Sequence, residues 1–426
     1  MPARPSTARI DPALVAILAG VCAALHVGKL PPAITALQAA LGLSLLQAGF
    51  LLSVVQTAGM TAGVAFGALA DGLWPRRSML IGLTILALAS ALGGAADNVT
   101  ALMVLRAAEG FGFLLVVLAA PALVRRLVPT ERLNPMLGMW GAYMPLATAM
   151  ALLAGPWVIT LAGWRAWWWG LAALTAAMAI WLGAAVSAEA GGRAMRTGNA
   201  PPLSARLSST LAAPGPWLVA MAFAMYSGQW LAVVGFLPTI YAQTGVAGTV
   251  AGALTALVAA VNMIGNIGAG RLLHRGARPA RLLATGFVAM GITAFIAFGG
   301  FGVGDGLPVS ASVRYVAVLM FSAVGGLIPA TLFVLALRVA PNEGSISATV
   351  GWVQQWSALG QFGGPPLVAW VAVQTGGWQS TWLATGACSV LGLALTAAIA
   401  RLHAAAPPAR SGPGVKTTRD QERANR

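Results

Sequence analysis

Four ionisable side chains stand inside stretches that are otherwise apolar, and their spacing pairs them. His26 and Lys29 are three residues apart, as are Arg106 and Glu109. On a helix that spacing puts each pair on one face. A charge in a hydrocarbon setting is costly and normally faces a partner or a cavity. Lys29 and Arg106 suit the docking of a carboxylate by charge-assisted hydrogen bonds; Glu109 and His26 are the groups that could take up and release a coupling proton. A blander reading stays open, in which Glu109 neutralises Arg106 in a structural pair and Lys29 snorkels to an interface. Pro31 and Pro32 follow Lys29 closely, and interrupted helices often mark sites.

Other chemistry is missing from the pattern. The histidines, at 26, 274 and 403, are scattered, and Cys22 and Cys388 are far apart with no ligand spacing between them. There is no Walker loop, no nucleophile with a base and no metal cluster. The expectation is no enzyme, no metal and no cofactor. The second part of the chain offers uncharged groups instead: Tyr226, Ser227, Gln229 and Trp230, then Asn262 and Asn266, then Trp352, Gln354, Gln355, Trp356 and Gln361. Amides and indoles can hydrogen-bond a solute while presenting apolar walls. The substrate-binding set is therefore Lys29, Arg106, Tyr226, Gln229, Trp230, Asn262, Trp352, Gln355 and Trp356. The competing role for each amide is glue between helices.

The elements that must position these groups follow from composition. The 426 residues are 58% hydrophobic and 8% charged, with a mean hydropathy of +0.81, whereas soluble domains carry about 25% charged residues. So large an apolar excess needs lipid as its solvent. The apolar runs are uniform and close to the roughly 20 residues of a membrane helix, without the alternation of a barrel strand. They predict spans at 12–38, 44–70, 76–95, 99–124, 134–160, 164–187, 215–243, 248–273, 279–302, 311–338, 344–374 and 378–403. Arg4 and Arg9 precede a first span too long for a signal sequence, which predicts that it is retained.

The net charge of +15 would suggest nucleic acid in a soluble protein; here its placement matters more. With the N-terminus cytoplasmic, all of the 25 Lys and Arg residues except Lys29, Arg106, Arg165 and Arg314 fall on the cytoplasmic side, as the positive-inside rule requires. Both termini are then cytoplasmic, in a cell membrane (the inner one in a bacterium).

Landmarks recur in order. Lys29-Leu-Pro-Pro-Ala-Ile returns as Phe236-Leu-Pro-Thr-Ile, Gly67-Ala-Leu-Ala-Asp71 as Gly270-Arg-Leu-Leu-His274, and Arg126-Leu-Val-Pro-Thr-Glu as Arg338-Val-Ala-Pro-Asn-Glu. Gly155-Pro156 returns as Gly364-Pro365, and Gly163-Trp as Gly377-Trp, all at shifts of 203 to 214. The expected architecture is all-α, twelve transmembrane helices in two pseudo-symmetric six-helix bundles. Residues 1–187 and 215–403 form the bundles, 188–214 a cytoplasmic linker and 404–426 a disordered tail.

Six spans plus six with such a linker resembles the major facilitator superfamily. Gly67, Asp71, Arg76 and Arg77 match its signature Gly-x-x-x-Asp-Arg-x-Gly-Arg-Arg between spans 2 and 3, with Gly72 where Arg is usual and one residue more before the arginines. Arg106-Ala-Ala-Glu-Gly-Phe-Gly is similar to the family's Arg-x-x-Gln-Gly-x-Gly, with Glu109 for Gln. Gly28-Lys-Leu-Pro-Pro-Ala-Ile followed by Leu41-Gly-Leu-Ser is similar to the cyanate permease group. The resemblance implies that spans 1 and 4 line a central cavity, bringing His26, Lys29, Arg106 and Glu109 together there. It implies gating by Gly67, Asp71, Arg76 and Arg77, with Asp71 latching the N-terminus of span 11 near Ser345 and Ser347. Drug antiporters of the family carry Gly-Pro-x-x-Gly-Gly in span 5, and Gly155-Pro156-Trp-Val-Ile departs from it.

A cavity with Lys29, Arg106 and His26 against one Glu109 would attract anions. The expected function is a monomeric secondary transporter moving a small organic or inorganic anion by alternating access, as a proton symporter. The alternative is a proton-coupled exporter of drugs or other amphipathic compounds. The expected partners are the solute, protons and the lipid bilayer, with no nucleic acid.

Overall fold

The computed structural model describes residues 10–69, 74–187, 202–299 and 309–405; among these there are helices and turns but no strand. Ten stretches are long and apolar enough to cross a membrane. One of them, Tyr143–Ala185, runs for 43 residues but contains a single non-helical residue, Gly163, at φ 82°. At 1.5 Å per residue it would be about 65 Å long, twice the hydrocarbon core, so it is two spans. The positive φ is open to glycine at no steric cost, and the chain reverses there on one residue. Ile346–Thr375, 30 residues with four glutamines and glycines breaking its apolar run, is the twelfth.

The spans are α1 (Pro12–Leu41), α2 (45–69), α3 (Pro75–Gly94), α4 (Val99–Leu127), α5 (143–162) and α6 (164–185). Then come α7 (Pro214–Gln243), α8 (Gly248–His274), α9 (Pro279–Phe298), α10 (Ala311–Val339), α11 (Ile346–Thr375) and α12 (Trp382–Ala405). Asp11 caps α1, its carboxylate accepting from the Ala13 N–H. Ser44 and Gln47 cap α2 reciprocally, satisfying N–H groups that a helix start leaves free.

Three local features depart from the sequence expectation. Span 5 starts at Tyr143, not 134, because Thr130–Gly141 is a separate helix ended at Ala142. Pro145 has no N–H for the Gly141 carbonyl, so the helix cannot run through. The linker contains a helix, Leu203–Ala212, lying against α2, α7 and α11. And α1 continues to Leu41 past a 3-10 turn at Pro31–Ala33. Residues 188–201, the tail from 406 and the loop residue Asp71 lie outside the described residues.

The exterior is apolar: Leu161 is 77% exposed and Ile180 74%. Charge is found inside, with Lys29, Arg106 and Glu109 at 0–1%. A water-soluble protein has this arrangement inverted; a multi-pass membrane protein requires it. The core falls into two clusters, one almost wholly of residues before 187 and one almost wholly of residues after 218.

The two halves join along α2 with α11 and α5 with α8. Within the second half α7 lies on α11 backbone to backbone, an ideal Cβ on Gly228 falling 2.7 Å from the Gly360 carbonyl oxygen. We expect Gly228→Ala to force these helices apart and lower stability by about 1–3 kcal/mol. Gly268→Ala, whose Cβ meets nothing within 4 Å, should leave stability equal or slightly higher. Thermal unfolding of the detergent-purified variants checks the contrast, and equal melting of the two would refute it.

Candidate functional site

The four ionisable residues do meet. Lys29 donates to Glu109 Oε1 and, at 2.9 Å, to Ser90 Oγ on α3. Its third proton points at His26 Nδ1, 3.4 Å away. An ammonium has three donors, and all three are used; the indole of Trp168 on α6 lies beneath it at 4.7 Å. Arg106 Nη1 binds Glu109 Oε2 and the His26 carbonyl, both at 2.6 Å. Glu109 is therefore shared by two cations from two helices.

The surroundings explain this geometry. Thr175 on α6 donates to the Leu171 carbonyl at 2.7 Å, so toward His26 Nε2, at 2.8 Å, it accepts. That fixes the neutral imidazole as Nε2–H with Nδ1 free to face Lys29. Ser90 accepts from Lys29 and donates to the Trp168 carbonyl at 2.9 Å. Pro32 has no N–H to close a turn on the Lys29 carbonyl, and the Trp167 indole supplies one at 3.0 Å. Among the described residues, Arg106 Nε and Nη2 and Trp168 Nε1 in this cluster lack a partner.

The cluster lies within the first half, walled by α1, α3, α4 and α6. Its faces of α1 and α4 are turned toward Ser90, Trp167, Trp168 and Thr175, because those residues carry the polar partners. None of His26, Lys29, Arg106 and Glu109 lines the cavity between the halves. Its net charge is +1, so it depends on the one carboxylate.

That cavity lies among α2, α4, α5 and α11 and holds about 50 Å³. Its polar lining is Gln56, Tyr143, Gln354, Ser357 and Gln361; Phe113 and Met144 are among its apolar walls, and no charged side chain lines it. Gln56 Nε2 donates to Gln361 Oε1 across the halves at 2.9 Å. Spacing along the chain did not single out Gln56, Ser357 or Tyr143. A carboxamide in mid-span was the available signal for Gln56.

The remaining candidates take other places. Tyr226, Asn262 and Trp230 are tied together through Ser322: the Tyr226 hydroxyl pairs with Asn262, Asn262 Nδ2 donates to the Ser322 carbonyl at 2.9 Å, and Trp230 Nε1 donates to Ser322 Oγ at 3.1 Å. Gln229 accepts from Ser389 on α12 at 3.2 Å. Trp352 and Trp356 pack edge-on against Trp217. Gln355 accepts from the Val64 N–H of α2 at 2.8 Å, a bond between the halves. Arg76 donates to the Gly183 and Val186 carbonyls, both at 2.7 Å, holding the start of α3 to the end of α6. Arg77 lies over the Trp74 ring at 4.4 Å, and Gly67 is in the last turns of α2.

Comparison with known proteins agrees with this fold. The family model of the Major Facilitator Superfamily matches residues 16–360. A chloramphenicol resistance protein of Streptomyces lividans is 32% identical over 255 residues, 57% of this chain and 61% of that one. A tetracenomycin C resistance and export protein of Streptomyces glaucescens is 30% identical over 122 residues, 28% of this chain and 23% of that one. The matches thus span about three fifths and under a quarter of these relatives. The solved structure of a bacterial homolog of the human lysosomal transporter Spinster, inward-facing and unoccupied, superposes with a TM-score of 0.75 at 15% identity, covering 95% of this chain and 100% of that one. None of these speaks for the cyanate permease group.

Removing the shared carboxylate should be costly. Glu109→Gln leaves two buried cations without their counter-charge, and we expect a loss of about 3–5 kcal/mol. Lys29→Met added to Glu109→Gln should lose less than the sum of the single changes, with a coupling of about 0.5–3 kcal/mol. A double-mutant cycle on unfolding in detergent measures it; strict additivity would mean that the pair does not act as a unit.

Proposed function

The chain belongs to the major facilitator superfamily, and on that footing we propose that it is a secondary active exporter of amphipathic compounds, driven by protons. One observation carries the reading: the cavity between the halves is lined by amides, a hydroxyl, a phenol and apolar side chains, with no charged group. The charges that would have drawn a small anion are sealed in the first half at 0–1% exposure. The resistance and export proteins similar to this chain support the same direction.

The coupling proton has one natural carrier. Among the described residues, Glu109 is the one Asp or Glu that stands in mid-span. Protonating it would free Lys29 and Arg106 from their shared anion and loosen α1 from α4, which gives a proton a structural consequence. His26, 3.7 Å from Glu109, is the neighbour through which a proton would pass. Asp71 keeps the latch role its motif implies, with Gly67, Arg76 and Arg77 as the other residues of that motif, on the cytoplasmic side with both termini.

Cells producing the protein should hold several-fold less chloramphenicol than cells without it, and a protonophore should erase the difference. Equal accumulation in both, with proton-dependent uptake of cyanate or a monocarboxylate that Lys29→Ala abolishes, would restore the anion symporter. A fluorescent protein fused after Arg426 should fold and fluoresce, as such fusions do in the cytoplasm; a dark fusion at normal expression would reverse the orientation.

A further inference from the structure

The seam between α2 and α11 is antiparallel and close along its length. An ideal Cβ on Gly49 would fall 3.0 Å from Pro366, one on Gly59 2.8 Å from Ala358, and one on Gly63 2.9 Å from Gln355. Between the first and second of these contacts lies the Gln56–Gln361 hydrogen bond. It ties a side chain of one helix to a side chain of the other. It also stands where α2 departs from α-helix, in the 3-10 turn Val54–Gln56.

The cavity beside it is too small for the solute it is to carry. About 50 Å³ accommodates a water or two, whereas ligand pockets run to about 300–1,000 Å³. A ligand of that size needs the lining helices to part, and parting α2 from α11 breaks the glutamine bond. In a site closed to water those amides must then bond to the ligand, since leaving them unpaired is costly. A carboxamide has two donor hydrogens and two acceptor lone pairs, so each glutamine can serve a ligand that both gives and accepts hydrogen bonds. Two further groups are waiting: among the described residues, neither the Gln354 amide nor the Tyr143 hydroxyl, both in the lining, has a hydrogen-bond partner. A charged ligand would find no counter-charge here, and desolvating it would go uncompensated.

We propose that Gln56 and Gln361 form a clasp across the halves that an uncharged ligand bearing amide or hydroxyl groups opens by taking over its hydrogen bonds, with Gln354 and Tyr143 as further partners of that ligand. The proposal deepens the export reading and rests on it for the cavity being the transport site. It sets the substrate class as neutral and hydrogen-bonding, and it makes the clasp the contact that senses occupancy.

Binding to the detergent-purified full chain tests it, by equilibrium dialysis with chloramphenicol as neutral probe, tetraphenylphosphonium as cation and benzoate as anion. The wild type should bind chloramphenicol in preference to both ions. Gln56→Leu and Gln361→Leu should each weaken chloramphenicol binding about tenfold, the scale of one or two lost hydrogen bonds. Gln361→Glu should bring in tetraphenylphosphonium. Unchanged chloramphenicol binding in both leucine variants overturns the clasp, and a wild type that prefers either ion, or binds none of the three, overturns the neutral class. Should a leucine variant fail to fold, the order of preference of the wild type still decides. If the binding pattern holds but cells producing the protein accumulate chloramphenicol normally, the export reading falls and the clasp stands.

Discussion

A single carboxylate holds the first half of this molecule in order. Glu109 accepts from Lys29 on α1 and from Arg106 on its own helix, and without it two cations would be stranded in a lipid-facing bundle with no water to hydrate them. The tryptophans and hydroxyls around it complete the same task. Ser90 and Thr175 supply acceptors, the Trp168 ring supplies a polarisable face, and Trp167 covers the carbonyl that Pro32 leaves open. Isolated buried ions are costly and paired ones only partly compensated, so such a cluster is poor evidence of stability for its own sake. In the proposed proton-driven cycle, Glu109 is the group whose charge would change.

The two halves answer the same packing problem differently. At the place of Cys22 and Thr175, in contact at 3.5 Å, the second half has Gln229 and Ser389 at 3.2 Å. Both pairs join the first helix of a half to its last. At the place of Lys29 stands Phe236, fully buried against Trp378. The first half is thus held by ions and the second by amides, hydroxyls and rings, with close glycine contacts between α7 and α11. Among the described residues, only the first half has a carboxylate inside a span.

The twelve spans were legible because apolar run length is a one-dimensional property, and lipid enforces it. Three-residue spacing paired His26 with Lys29 and Arg106 with Glu109, and the family resemblance implied that the two pairs meet. What spacing could not tell was which neighbour the shared face meets. A helix face with two charges reads the same whether it looks into a cavity or toward Ser90 and Thr175, and here it looks toward the latter. Tyr226, Trp230 and Asn262 were good candidates by type, yet they are engaged with Ser322 and with one another. Gln354 and Gln361 were legible as polar groups of span 11, while Gln56 becomes a candidate only through its position opposite Gln361, 305 residues away. The break at Ala142, which makes Thr130–Gly141 a helix of its own, follows from Pro145, whose missing N–H acts four residues upstream.

Joining α5 and α6 through Gly163 alone has a mechanical result. A connection of several residues would let its two helices slide and tilt independently; a one-residue joint has no slack. On one arm, Leu152 and Pro156 bear against Gly252 of α8 in the other half. On the other arm, Trp167 and Thr175 hold the Lys29 carbonyl and the His26 ring. In the proposed proton-coupled exporter, rocking of one half against the other would reach the residues that orient the imidazole and the ammonium through this joint, and a change in their charge would be returned along it to the seam between the halves.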